Sequence, residues 1–141
     1  MSERLKNFLW LVLILVVFGV VTFFRGSSSM YLDFDNDAIT VSAPEGFVYG
    51  IPLENISDIE LIEEFDAGTM ITGNQNRKFI WGTWENDALG QYTLCVSKKI
   101  DNVILAKEAN GNVLAFNYES NETTASLAEM IPALIESTLT P

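Results

Sequence analysis

Residues 79–117 read FIWGTWENDALGQYTLCVSKKIDNVILAKEANGNVLAFN. The apolar runs Phe79–Trp84, Gly90–Ser97, Asn102–Lys107 and Asn112–Asn117 alternate here with turn chemistry. Asn86-Asp87-Ala88-Leu89 separates the first pair and Asn110-Gly111 the second. An Asn-Gly step suits a type I′ hairpin turn, which needs positive φ at both central residues. Apolar runs this short, broken every 8–12 residues or so, are the signature of an all-β sandwich or barrel.

The pattern continues upstream. Met30–Asp33 and Ala38–Ser42 flank the turn set Asp35-Asn36-Asp37, and Phe47–Ile51 follows the break Pro44-Glu45-Gly46. Ser57–Ile62 alternates, with Ile59 and Leu61 on one face. Downstream the period changes. Leu127, Met130, Ile131, Leu134 and Ile135 form one apolar helical face, which predicts a helix over about residues 122–138. Asn121 or Thr123 is placed to cap it. Pro132 cannot donate to the carbonyl of Ala128, so a kinked or split helix is expected. Such a helix supplies the apolar plug that the open end of a small barrel needs.

The N-terminus is of a different kind. Asn7 to Phe24 reads NFLWLVLILVVFGVVTFF, in which only Asn7 and Thr22 are polar. A helix of these 18 residues is roughly 27 Å long, close to the thickness of a hydrocarbon core. A lone strand in lipid would leave its backbone groups unpaired, so the reading is a transmembrane helix, with residues 1–25 as an anchor. A cleaved signal peptide is the rival: the segment is longer than the usual apolar region, but Gly26-Ser27-Ser28-Ser29 supplies the small residues a cleavage site wants. Otherwise residues 26–29 are a flexible linker. Arg4 and Lys6 precede the span and Arg25 alone follows it closely, which places the N-terminus in the cytoplasm and residues 26–141, with the domain at 30–141, outside it. Gly19 is the only small residue in the span apart from Thr22, so no G-x-x-x-G packing face is present.

The 141 residues carry 8 Lys and Arg against 19 Asp and Glu, a net charge of -11, with one cysteine and no histidine. One domain fits this length. Without histidine a Ser-His-Asp or Cys-His site cannot exist within the chain, nor can a Cys/His zinc site. Cys95 has no partner for an internal disulfide and fits either redox compartment. Residues 1–25 are net +2 and residues 26–141 net -13. A domain so acidic is not expected to bind nucleic acid.

Short strands followed by one C-terminal helix form the layout of a pleckstrin-homology (PH) domain. The residues resemble the bacterial PH-like domains of small membrane-anchored proteins. Ile51-Pro52-Leu53-Glu54-Asn55-Ile56-Ser57-Asp58-Ile59 looks like the family's strand, turn and next strand. Gly73 with Phe79-Ile80-Trp81-Gly82-Thr83-Trp84 looks like its glycine and aromatic strand. Tyr92–Val96 and Val103–Leu105 look like the paired strands that follow. The resemblance covers most of residues 30–138 and implies a mainly β fold: a PH-like barrel of about seven strands, capped by a C-terminal helix. The family offers no common catalytic activity to carry over, and its members are membrane-anchored; the chain is expected in the bacterial cytoplasmic membrane, without a cofactor and with a protein or peptide as partner. Residues 26–76 hold no Lys or Arg, so the basic cradle of lipid-binding PH domains is missing and phosphoinositide is not an expected ligand.

Several side chains are candidates for a site. Asp33, Asp35 and Asp37 look like the start of a calcium loop, but the sixth and twelfth positions are Ala38 and Pro44 where an EF-hand wants Gly and Glu. A polar hairpin turn is the plainer reading. Glu60, Glu63, Glu64 and Asp66 read as a solvated acidic run; a pair of catalytic carboxylates would need one in an apolar pocket. On the strand at 79–84, Phe79 and Trp81 face one side and Ile80 and Trp84 the other; core packing is the plainer reading of these aromatics, a partner patch the other, and Trp84, near a turn, is the best candidate for exposure. Arg77-Lys78 and Lys98-Lys99 are the basic pairs of the domain, read as solubilising turn residues or together as an anion site. Cys95 reads as a buried, inert thiol. Asn55-Ile56-Ser57 and Asn121-Glu122-Thr123 match the glycosylation sequon by chance. The function expected is a non-catalytic, membrane-tethered interaction module that meets a partner at a sheet edge or barrel rim. The alternatives are a small-ligand or calcium-responsive domain, a hydrolase using carboxylates alone, and a complex subunit that assembles through its helix.

Overall fold

The computed structural model describes residues 2–28, 30–35 and 37–139, the side chains of 17–28, 35, 138 and 139 excepted. A helix, α1 (Glu3–Ser28), precedes nine strands among the described residues, and α2 (Asn121–Leu139) follows them. The strands are β1 (Tyr31–Asp35), β2 (Ala38–Ala43), β3 (Phe47–Pro52), β4 (Ile56–Ile62), β5 (Thr69–Gln75), β6 (Phe79–Asn86), β7 (Gly90–Ser97), β8 (Val103–Glu108) and β9 (Val113–Phe116). The fold is thus mainly β with a C-terminal helix.

The barrel expected from the sequence does not close. The strands form two open sheets, β1-β2-β3 and β4-β8-β9-β7-β6-β5. The break falls after β3. Pro52 has no N–H to continue a ladder, and a 3-10 turn at Leu53–Asn55 carries the chain into β4 in the second sheet. The three-stranded sheet then packs by its side chains. Ile39, Val41, Ile51 and Leu53 meet Trp81, Cys95, Ile104, Leu114 and Phe116 of the six-stranded sheet, and Leu127 and Ile131 of α2 complete this core.

In the larger sheet β9 inserts between β7 and β8, parallel to the first and antiparallel to the second. The central strands are therefore buried on both faces, which explains their unbroken apolar runs. Ile104, Ala106, Leu114 and Phe116 point to the first core; Val103, Leu105 and Ala115 point to a second one. The β8–β9 turn differs from the type I′ expectation. Asn110 keeps negative φ because its Oδ1 accepts from the Asn112 N–H at 2.9 Å. Gly111, at φ 98, supplies the left-handed residue and donates its N–H to the Glu108 carbonyl at 3.0 Å. The result is a type I turn closed by a left-handed glycine.

β5 had no counterpart in the apolar pattern. Its side chains are exposed except for half-buried Met70, and the strand is held through its backbone by β6. α2 starts where expected but is capped differently. Ser120 Oγ accepts from the Thr123 N–H at 3.0 Å, while Asn121 Oδ1 accepts from the N–H groups of Asp101 and Asn102, both at 2.9 Å. The helix runs through Pro132 without splitting, because Leu127 and Ile131 before the proline and Leu134 and Ile135 after it hold it to the core.

α1 continues through Gly26-Ser27-Ser28 of the expected linker, whose last residue, Ser29, lies outside the described residues. A helix already formed gains one hydrogen bond for each residue added, so a single glycine does not stop it. From Phe8 to Val16 every side chain is apolar and between 40 and 65 % exposed. A run of nine covers every side of the helix. Among the described residues, no helix is long and apolar enough to cross a membrane. The described apolar side chains end at Val16, and those of residues 17–24 of the expected span lie outside the described set.

Candidate functional site

The second face of the six-stranded sheet is built around Trp84, Tyr92, Leu94, Val96, Val103, Leu105 and Ala115. Among the described residues no second sheet covers it. Its cover is residues 63–68, and the strand order dictates their path. β4 and β5, joined by this loop, lie at opposite edges of the sheet. Ile62 pairs with Val103 at one end of the strands, whereas Thr69 pairs with Glu85 at the other. On a flat sheet five strand spacings, about 24 Å, and the strand length together would exceed the reach of so short a loop, so the sheet coils and brings its two edges closer. The chain is therefore drawn diagonally across the face as a strap.

The strap is fastened at several points. Phe65 stands edge-on to Tyr92, with ring centroids 5.7 Å apart and planes at 89°. The Tyr92 hydroxyl donates to the Ala67 carbonyl, and Asn86 Nδ2 donates to the Asp66 carbonyl at 2.8 Å. Asp66 Oδ1 accepts from the Gly68 N–H at 3.0 Å, closing an Asx turn. Gly68 sits at φ 81, where a Cβ would lie 2.0 Å from the Glu85 carbonyl oxygen. Only glycine lets the strap come down onto β6 there. Burial raises the Tyr92 hydroxyl pKa well above its ordinary value, and the Asp66 carboxylate raises it further.

A strap leaves gaps beside it. Between its Phe65-Asp66 segment, the β6–β7 turn and the β4–β8 edge lies a groove of about 430 Å³. Ile62, Phe65, Leu89 and Leu105 give it an apolar floor; Glu60, Asp66 and Asp87 stand on its rim. Lys107, the one basic residue lining it, has its Nζ 3.0 Å from Glu60 Oε2. The rim is left net negative. A cleft of this size with an apolar floor and a few charges suits a short amphipathic segment, and the rim favours one that carries a cation.

Of the acidic run, Glu60 and Asp66 thus edge a groove, while Glu63 and Glu64 are exposed on the strap. The signal that points to the groove is Ile62 and Phe65, apolar residues set within that run. Trp84, the candidate for an exposed aromatic, is buried in a core instead. It is 7 % exposed, since it faces the second core between Met70 and Tyr92, and its Nε1 has no hydrogen-bond partner among the described residues. Phe79 and Trp81 turn to the first core and Ile80 to the second, as the period of two requires. Arg77 and Lys78 are exposed on the β5–β6 turn, far from the groove, and Lys98 and Lys99 are exposed beside them.

Asp33 and Asp37 are exposed about the β1–β2 turn; the side chain of Asp35 and all of Asn36 lie outside the described residues. Among the described residues, no group of three or more His, Cys, Asp or Glu is placed to hold a metal ion. Cys95 is fully buried in the first core, and burial pushes its thiol pKa up to about 12, so it is a packing residue. Tyr49 donates to Glu108 Oε2 at 2.9 Å; burial first, then this carboxylate, raise its pKa.

Compared with known proteins, the chain matches no family model, no curated protein and no solved structure.

Proposed function

We propose that this chain is a non-catalytic, membrane-tethered binding module: α1 sits in a bilayer, and a PH-like domain presents the strap groove to a protein or peptide partner. The observation that carries the reading is the exposure of α1. Nine consecutive apolar side chains, Phe8 to Val16, are each 40 to 65 % exposed. Removing them from water gains on the order of 1.5–3 kcal/mol for each large side chain. The sequence keeps this character to Phe24, which makes the stretch long enough to span. Arg4 and Lys6 hold the N-terminus in the cytoplasm, so the domain faces the outside of a bacterial cytoplasmic membrane.

The strand-rich layout ending in one helix supports the PH-like reading, with two open sheets standing in place of a barrel. The groove supports a partner that inserts apolar side chains and brings a basic residue to Glu60, Asp66 or Asp87. Its volume also lies within the range of about 300–1,000 Å³ typical of small-molecule sites. A small amphipathic cation is therefore the second reading. Alkaline carbonate extraction of membranes containing the full chain tests the tether. The chain is expected to stay with the bilayer, and Leu11→Arg with Ile14→Arg to release it. Extraction of the unaltered chain would contradict the proposal.

A further inference from the structure

The cations of the domain are gathered at one end, and that end is where α1 leaves it. Tyr31 pairs with Ser42, so the chain arriving from α1 runs beside Ala43 and the 3-10 turn Pro44–Gly46, against which α1 lies. Glu45 of that turn accepts a hydrogen bond from Asn74 Nδ2 at 2.9 Å, which ties it to the last residues of β5. The β5–β6 turn follows with Arg77 and Lys78, and the Lys78 carbonyl accepts from the Lys98 N–H at 2.8 Å. Arg77, Lys78, Lys98 and Lys99 are thus neighbours on two adjoining turns. They are four of the five cations in residues 26–141, all exposed. The fifth, Lys107, is engaged by Glu60 in an ion pair.

Six acids share this end. Glu63, Glu64, Asp101, Glu119 and Glu122 stand on its β4–β8–β9 side, Glu64 and Asp101 lining a pocket of about 220 Å³ with Lys98, whereas the cations stand on its β7–β6–β5 side with Glu45, which is bonded to Asn74. The rest of the domain holds one cation and 12 acids. Asp87, on the rim of the groove, lies at the far end of β6, about 24 Å away at 3.4 Å per residue. At physiological salt the screening length is only about 8 Å, so a nearby surface feels one end of the domain at a time. For a free domain the net charge would decide against an anionic surface. For a tethered one the anchor settles proximity, and the asymmetry settles orientation.

We propose that this basic corner, the adjoining turns that carry Arg77, Lys78, Lys98 and Lys99, docks on the anionic lipid headgroups around α1 and turns the Asp87 end of the groove away from the bilayer, towards the partner. The proposal rests on the reading that α1 is inserted. It needs no headgroup-specific pocket, only cations on exposed turns. Each docked Lys or Arg strengthens contact with an anionic surface about fivefold.

The test uses the full chain in vesicles of phosphatidylcholine, alone or with phosphatidylglycerol. A fluorophore is placed by Asp101→Cys at the basic end or by Asp87→Cys at the groove end. Both changes remove one negative charge, and buried Cys95 stays unlabelled. A nitroxide on the lipid headgroup is the quencher. In the anionic vesicles the label at 101 is expected to be quenched severalfold more than the label at 87. The difference should collapse with Lys78→Glu and Lys98→Glu, and also in about 1 M salt, where the screening length falls to about 3 Å. Equal quenching of the two labels in a chain that floats with the vesicles overturns the docking and leaves the tether intact. Persistence of the difference through both charge reversal and high salt overturns it too. A chain that does not float with either vesicle overturns the tether, and the docking with it.

Discussion

The two faces of the six-stranded sheet are both apolar, yet they are closed by different means. The first is covered by regular elements, β1–β3 and α2, whose side chains interdigitate so fully that Ile39, Ile51, Ile104, Leu114, Phe116 and Ile131 are inaccessible. The second is covered by an irregular strap with few apolar residues. It leaves a groove at one side, a pocket at the other and an unpartnered Trp84 Nε1 beneath. Regular secondary structure satisfies its own backbone and can devote a whole face to packing. A strap must place hydrogen bonds on its own carbonyls, here from Tyr92 and Asn86, and cannot fill the sheet it crosses. The first face holds the fold together; the second has room for a ligand.

This contrast is open to attack by substitution. Phe116→Ala empties the middle of the first core and should cost about 3–5 kcal/mol in urea unfolding. Phe65→Ala on the half-buried strap should cost about 1–2 kcal/mol, because that site is already open to water. Equal losses would mean that the strap is as integral as the sheets. High pH separates the faces in another way. Cys95 in the first core titrates near 9.0 when unfolded and near about 12 when folded, so its contribution is complete below pH 9 and is lost as pH rises towards 12. The loss should reach about 1.4 kcal/mol at pH 10, and Cys95→Ala should abolish it. Tyr92, raised from 10.0 on the second face, adds a further loss above pH 10 that Tyr92→Phe removes. At neutral pH Tyr92→Phe should cost about 1 kcal/mol and speed amide exchange in the strap while leaving β8 and β9 protected. The smallest effect belongs to the Glu60–Lys107 pair, whose side chains are 46 and 37 % exposed. A double-mutant cycle there should return at most about 0.5 kcal/mol.

The sequence is most legible where burial imposes a period. β6, β7, β8 and α2 were marked out by their apolar spacing because each buries at least one face in a core. β5 was not, since its stability comes from backbone pairing with β6 and nearly all its side chains face water. Sheet closure was not legible either. Whether an edge pairs with another or packs by its side chains depends on Pro52 and on the insertion of β9, and apolar spacing is the same in both cases. Trp84 shows the limit of reading a site from proximity to a turn. Its position on β6 fixed which face it joins, but not that residues far upstream would lie over that face. For the same reason the groove was hidden, because its lining comes from β4, the strap, the β6–β7 turn and β8. The convergence of the two basic turns depends on β6 and β7 pairing in register, Phe79 with Ser97. That pairing follows from the hairpin, so it was the long-range feature nearest to the sequence.

The claim that the strap face is the binding face is tested most directly by site-specific photo-cross-linking. The full chain in its native membrane carries the photoreactive residue either at Leu89, in the groove, or at Glu129, on the exposed side of α2. The account predicts a discrete cross-linked species from position 89, none from position 129, and loss of the first when Asp66→Lys and Asp87→Lys reverse the rim charge. Cross-links from position 129 alone, or yields at 89 indifferent to the rim charge, would contradict it.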